Sequence, residues 1–206
     1  MEARSAVRWI VTCLVIMAGI SFPVFAGPVF TYGGDFDLPI PKLDTSDPDI
    51  SKGWMEDAVI EITDHFTVSD LDVRISVTHT SAFDLQIFLQ GPVGTRICLN
   101  MYTFHEFFEG ANYTQTVFDD EAELSIKDTL SPFTGSFRPL EPYKLSDFDG
   151  EKTYGIWRLQ IYDAWEWDTG NLDSFELVIT TPESATVIFL ILGAGLVKRF
   201  NTRRYR

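Results

Sequence analysis

Only two cysteines occur in 206 residues, and Cys13 falls in an N-terminal segment that reads as removable, so no disulfide is expected in the mature chain. Cys98, in the apolar alternation Ile97-Cys98-Leu99, reads as a small buried hydrophobe and not as a reactive thiol. Positive charge is also scarce: 16 Lys and Arg stand against 30 Asp and Glu, for a net charge of −14. Two of the basic residues precede Gly27 and five follow Thr181, which leaves nine against 28 acidic residues and a core charge of about −19. That balance disfavours nucleic acid and anionic lipid as partners. The three histidines, His65, His79 and His105, read as structural or exposed residues and not as catalytic ones. His105-Glu106-Phe107-Phe108-Glu109 carries Glu109 where a zinc helix needs its second histidine. No apolar run approaches the ~20 residues of a comfortable membrane-spanning helix, and no internal repeat is visible.

The two ends carry addresses. Arg4 and Arg8, an apolar run at 9–20 and Pro23-Val24-Phe25-Ala26 before Gly27 have the layout of a signal helix cleaved after Ala26. The alternative is an uncleaved anchor. At the other end Pro182-Glu183-Ser184 precedes apolar residues 185–197 and then Lys198, Arg199, Arg203, Arg204 and Arg206, a stop-transfer layout. Between them, 27–55 is rich in Gly, Pro, Asp and Ser with weak periodicity, and reads as an extended N-terminal arm. Period-two alternation then predicts short strands at 59–63, 71–77, 85–89, 95–99, 114–118, 122–126, 156–161 and 174–180. About eight strands with few helical patterns imply an antiparallel all-β sandwich. Residues 155–180 read as a closing hairpin, with Gly170 supplying a positive φ at its turn.

Five segments share an order. His79-Thr80 is followed by Asp84-Leu85-Gln86-Ile87-Phe88-Leu89 and Gly91-Pro92-Val93-Gly94-Thr95. Phe118-Asp119-Asp120-Glu121-Ala122 comes next, then Gly135-Ser136-Phe137-Arg138-Pro139 and Leu145-Ser146-Asp147-Phe148-Asp149-Gly150. The last is Gly-x-Trp-x-Leu-x-Ile-x-Asp at 155–163 running into Asp168-Thr169-Gly170 and Ser174-Phe175. Over 56–181 this resembles the P domain, or Homo B domain, that follows the catalytic domain of kexin, furin and related bacterial subtilisin-like proteases. The resemblance implies a jelly-roll β-sandwich, and an association with serine-type endopeptidases and proteolysis through a catalytic domain that would precede this one. The tail 182–206 resembles a PEP-CTERM sorting signal. That implies a short C-terminal hydrophobic helix held transiently at the membrane, cutting by an exosortase-like enzyme, and export to the surface or matrix of a Gram-negative bacterium. Ser184 stands where that signal has proline, and a plain transmembrane anchor is the alternative.

No Gly-x-Ser-x-Gly elbow and no Gly-Thr-Ser nucleophile motif of the subtilisin type is present, so the chain is expected not to be an enzyme. Asp119, Asp120, Asp163 and Asp168, in turns beside strands, are candidate ligands for one or two calcium ions, against the alternative of solvated turn carboxylates. The resemblance also implies calcium at such loops. Trp165 and Trp167 flank Glu166 and are candidate ligand-binding residues if exposed, and structural ones if folded over the sandwich edge. A noncatalytic binding or scaffolding module is the expected function. The rivals are an accessory domain acting on a separate protease, which would copurify, and a polysaccharide-binding matrix protein.

Overall fold

The computed structural model describes residues 27–46, 53–101 and 110–182. The signal segment with Ala26, the tail from Glu183 with Ser184, and His105 lie outside the described residues. Among the described residues no helix is long and apolar enough to cross a membrane.

Among the described residues nine strands form two sheets: β1 (Val29–Ile40), β2 (Ala58–Ile62), β3 (Asp70–His79), β4 (Leu85–Gln90), β5 (Arg96–Asn100), β6 (Tyr113–Phe118), β7 (Phe133–Phe137), β8 (Gly155–Asp163) and β9 (Gly170–Thr180). One sheet has the order β1-β9-β3-β6-β7 and the other β2-β8-β4-β5. Alternation builds the interior. From the four-stranded sheet Ile60, Ile87, Leu89, Trp157, Leu159 and Ile161 face in, and from the five-stranded sheet Val73, Ile75, Phe175, Leu177 and Ile179 meet them. The core is thus a two-layer sandwich held by burial of apolar surface, without a cross-link, and Cys98 is free and buried. Burial pushes the Cys98 thiol up to about 12, with the Arg96 charge pulling weakly the other way, so it is inert at neutral pH.

Several sequence expectations are corrected. The strands at 155–180 are not a hairpin: β8 pairs with β2 and β4, whereas β9 pairs with β1 and β3. Segment 164–169 therefore crosses from one sheet to the other, so that both inward faces meet across the core. Alternation reports that one face of a strand is buried but not which strand lies beside it. Gly170 is not among the glycines with positive φ. A Cβ there would lie 2.4 Å from His79 Cδ2 and 2.6 Å from the Thr78 carbonyl oxygen, so glycine is needed for close approach to β3. The sheets are not wholly antiparallel either. β7 runs parallel to β6, and the 119–132 connection supplies the long crossover that such a pair requires.

Residues 122–126, expected to form a strand, instead make a turn running into a short 3-10 turn, Ile126–Asp128. The Arg138 guanidinium donates to the carbonyls of Ala122 and Glu123, and so replaces strand pairing there. Val29–Ile40 of the expected N-terminal arm is β1, a sheet-edge strand with a register shift between Asp35 and Leu38. Edge strands tolerate the Gly, Asp and Pro that obscure its pattern. Gly33 is required in it, because at φ +111° a Cβ would lie 2.2 Å from the Phe175 carbonyl oxygen. β7 was missed because only its terminal phenylalanines are buried and Gly135 interrupts it at φ +104°.

Candidate functional site

The chemistry-bearing residues gather at opposite ends of the sandwich, because β3 and β9 run its full length side by side. Asp70 pairs with Thr180 at one end and His79 with Gly170 at the other.

At the His79 end, the imidazole and the Asp163 carboxylate are both fully buried and meet at 3.1 Å, Nε2 to Oδ2. His79 Nδ1 lies 2.8 Å from the Ser81 carbonyl oxygen and 3.1 Å from the Ser81 N–H, so a protonated Nδ1 donates to the carbonyl and a bare one accepts from the N–H. The backbone N–H of His79 donates to Asn112 Oδ1 at 2.9 Å, and Asn112 takes a left-handed φ of 68° to present it. The other Asp163 oxygen accepts the Trp165 N–H at 2.9 Å. Burial opposes the charged imidazole, but the Asp163 hydrogen bond and charge, the Ser81 carbonyl and Asp84 outweigh it, so His79 titrates above its ordinary value. A His–Asp pair is also part of a serine-protease triad. Here neither ring nitrogen is free: one faces a carboxylate and the other the carbonyl and N–H of Ser81.

Beyond this pair the 164–169 segment carries Trp165, 40% exposed, and Trp167, 75% exposed. It is tied down from β1's side of the molecule, where the Leu43 N–H donates to the Trp165 carbonyl at 2.9 Å and the Thr45 hydroxyl to Glu166 at 2.6 Å. Next to it, a cavity of about 410 Å³ opens between the end of β3, the residues before β6 and the start of β9.

The opposite end is acidic. Asp72 is half-buried and pushed up to about 7, first by desolvation and then by the charges of Asp119, Asp70 and Glu121. Asp149 is raised by burial, Asp70 and Asp120. Glu121 is raised chiefly by its hydrogen bond with Asp119. Asp119 Oδ1 also accepts the Glu121 N–H at 2.7 Å. Asp120 holds a 3-10 turn at Leu145–Phe148, accepting the N–H groups of Leu145 and Ser146 at 2.9 Å each.

The structure thus separates the four candidate calcium ligands into two pairs. Asp119 and Asp120 lie at the acidic end. Asp163 and Asp168 lie at the His79 end, where both bear on Asp84 and raise its carboxyl after desolvation. Among the described residues no three His, Cys, Asp or Glu side chains are arranged to hold a metal ion. Sequence reasoning missed Asp72, whose Asp-Leu-Asp context at 70–72 was the available signal. It also missed the pairing of His79 with Asp163, for which sequence offers none.

Two groups here give one sign of pH dependence. His79, raised in the folded state, stabilises fully below its unfolded value of about 6.5, and that contribution fades as pH rises through the folded value. Asp72 binds its extra proton between the ordinary carboxylate range near 4 and about 7, so folding weakens as pH rises across that window. The thermal midpoint in chelator is therefore expected to fall between about pH 5 and 8. Asp72→Asn should recover about 1–2 kcal/mol at the alkaline end, the shift being discounted for partial solvation. A midpoint flat or rising over this range contradicts the assignment.

No curated protein matches the sequence. Among solved structures, the crystal structure of Aeromonas sobria serine protease in complex with its chaperone aligns at 18% identity over 77% of this chain and 28% of that one, with a TM-score of 0.42. The crystal structure of the serine protease of Aeromonas sobria aligns at 18% identity over 75% and 27%, with a TM-score of 0.40. The chain thus spans little more than a quarter of the length of these proteins. The family pattern described as the proprotein convertase P-domain matches residues 68–179, from the residues just before β3 to the end of β9. Since that match takes in more than half of the sequence, the chain belongs to the proprotein convertase P-domain family.

Proposed function

We propose that this protein is an exported, noncatalytic P domain that serves as a binding or scaffolding module at the cell surface. The observation that carries the reading is the His79–Asp163 pair: the imidazole is sealed in the core with both nitrogens engaged, so it holds two sheets together and has no access to a substrate. P domains accompany subtilisin-like proteases without supplying their chemistry, and the described residues of this chain suit that role. The signal and tail segments would deliver it, with an exosortase-like enzyme acting near Pro182, Glu183 and Ser184.

Calcium steadying the loops is part of the proposal, and the acidic end is what supports it. Asp72 is raised first by burial and then by the like charges of Asp119, Asp70 and Glu121, and a hard cation would relieve that repulsion. Asp163, committed to His79 and the Trp165 N–H, is the weaker of the candidate ligands. Millimolar calcium is expected to raise the thermal midpoint, and Asp119→Asn to abolish most of the rise. An unchanged midpoint removes calcium from the proposal.

The test of the noncatalytic reading is hydrolysis of casein and of a dibasic fluorogenic peptide by the purified chain. No turnover above buffer is expected, and turnover lost on His79→Ala at retained fold overturns it. A second reading, an accessory domain for a separate protease, follows from family membership and predicts that a protease copurifies with the chain from the extracellular fraction.

A further inference from the structure

The cavity at the His79 end has a lining that selects a ligand class. It is walled by Thr78 and Thr80 at the end of β3, Asn112 before β6, and Thr169, Gly170 and Asn171 at the start of β9. Part of this polar set is already committed. The Thr78 hydroxyl donates to Asp173 at 2.7 Å, and Asn171 Nδ2 is shared between Asp37 at 3.2 Å and Asp173 at 2.9 Å. Asn112 Oδ1 accepts the His79 N–H. Among the described residues, the hydroxyls of Thr80 and Thr169, Asn112 Nδ2 and Asn171 Oδ1 have no protein partner. They remain as a mixed set of donors and acceptors with no formal charge. His79, the one ionisable residue of the wall, has its side chain fully buried behind it. Trp167 does not line the cavity, but it is exposed and stands two residues before Thr169, a stretch of backbone of at most about 7 Å, within reach of a ligand that extends beyond the wall.

We infer that this cavity is a binding site for the end of a neutral oligosaccharide, with Trp167 stacking on the apolar C–H face of a sugar ring while Thr80, Asn112, Thr169 and Asn171 exchange hydrogen bonds with its hydroxyls. The volume is that of a small-ligand site. An anionic sugar is disfavoured because no cation lines the wall and the core carries about −19. A cation is disfavoured because no carboxylate lines it. An extended peptide added as a strand has no edge to pair with, since β3 lies between β9 and β6, and β9 between β1 and β3. The tie of Thr45 to Glu166 and the Trp165–Asp163 hydrogen bond fix the Trp167 segment before a ligand arrives, which lowers the ordering cost of binding.

This deepens the reading of the chain as a binding module, and rests on it, by naming the ligand class and the site. The experiment is calorimetric titration of the full chain with neutral hexasaccharides of glucose, mannose, galactose and xylose, and with hexagalacturonate as the acidic comparator. Binding of at least one neutral hexasaccharide and none of the acidic one is expected. Trp167→Ala should weaken it about tenfold and Thr169→Val severalfold, while Val93→Ser, exposed on another loop, leaves it unchanged. Both test positions are exposed, so loss of fold does not confound them. No binding by any neutral hexasaccharide overturns the inference, as does binding indifferent to both substitutions, or preference for hexagalacturonate. Failure of the noncatalytic reading would appear separately, as hydrolysis of casein or peptide.

Discussion

Trp157→Ala is expected to cost about 3–5 kcal/mol and leave the domain largely unfolded near 37 °C, since domains of this size hold only about 5–15 kcal/mol in reserve. Trp157 sits in β8, the strand of the four-stranded sheet that pairs with both β2 and β4, and it is fully buried. Its indole packs against Phe148 with ring centroids 5.1 Å apart, and its Nε1–H donates to the Thr153 carbonyl at 2.9 Å. Truncation opens a cavity where relaxation is limited, because the neighbouring strand residues are already paired, and it orphans a buried carbonyl. Gly91 shows how tight the region is: a Cβ there would lie 2.8 Å from the Phe148 ring. Trp157→Phe separates the two effects, keeping an aromatic ring and losing the hydrogen bond, and should cost about 1–2 kcal/mol. Urea unfolding measures both. A loss under about 1.5 kcal/mol for the alanine variant would mean that the site collapses and that β8 is not the rigid centre of its sheet.

Asp163→Ala is the second large effect, about 3–5 kcal/mol, because it leaves an imidazole buried without its counter-charge and the Trp165 N–H without an acceptor. The pH profile changes sign locally. With Asp163 present, His79 is held above its ordinary value and stability declines as pH rises through that range. Without it, burial dominates and the ring is forced neutral, so stability should instead decline as pH falls below about 6.5. The fall of the thermal midpoint between about pH 5 and 8 should therefore be shallower in the alanine variant, since the His79 contribution reverses while that of Asp72 remains. Asp163→Asn, which can still accept from Nε2–H, is expected to lose less and to flatten the slope. Parallel slopes for the alanine variant and the parent would show that His79 is neutral in the fold and that its partner acts by packing alone.

Asp163 also shows how a residue's type and its place in the fold point different ways. Read along the chain, Asp163, Glu166 and Asp168 form an acidic turn of the sort that holds calcium. In the fold, Asp163 is the last residue of β8 and points inward by the same alternation that buries Trp157, Leu159 and Ile161. The period-two count places it inside, and an inward carboxylate needs a partner. That the partner is His79, 84 residues earlier, depends on β3 and β8 lying in opposite sheets with their ends in register. Asp119 differs: it follows the end of β6, remains at the surface end of the sheet and joins Asp72 through strand neighbours that alternation cannot supply.

Local alternation and composition are enough to read the chain as all-β, to place seven of its strands and the buried side of each, and through the ordered motifs to give the family to which it belongs. These are properties of local periodicity and composition, which act over a few residues. Tertiary structure decided that β8 and β9 face each other across the core and do not pair, that β7 runs parallel to β6, and that the Gly-rich N-terminal segment closes the edge beside β9. It also decided that Thr80, Asn112 and Thr169 share one cavity. Each of these rests on contacts between residues far apart in the chain, where packing of two twisted sheets selects one pairing from the many that the same alternation would allow.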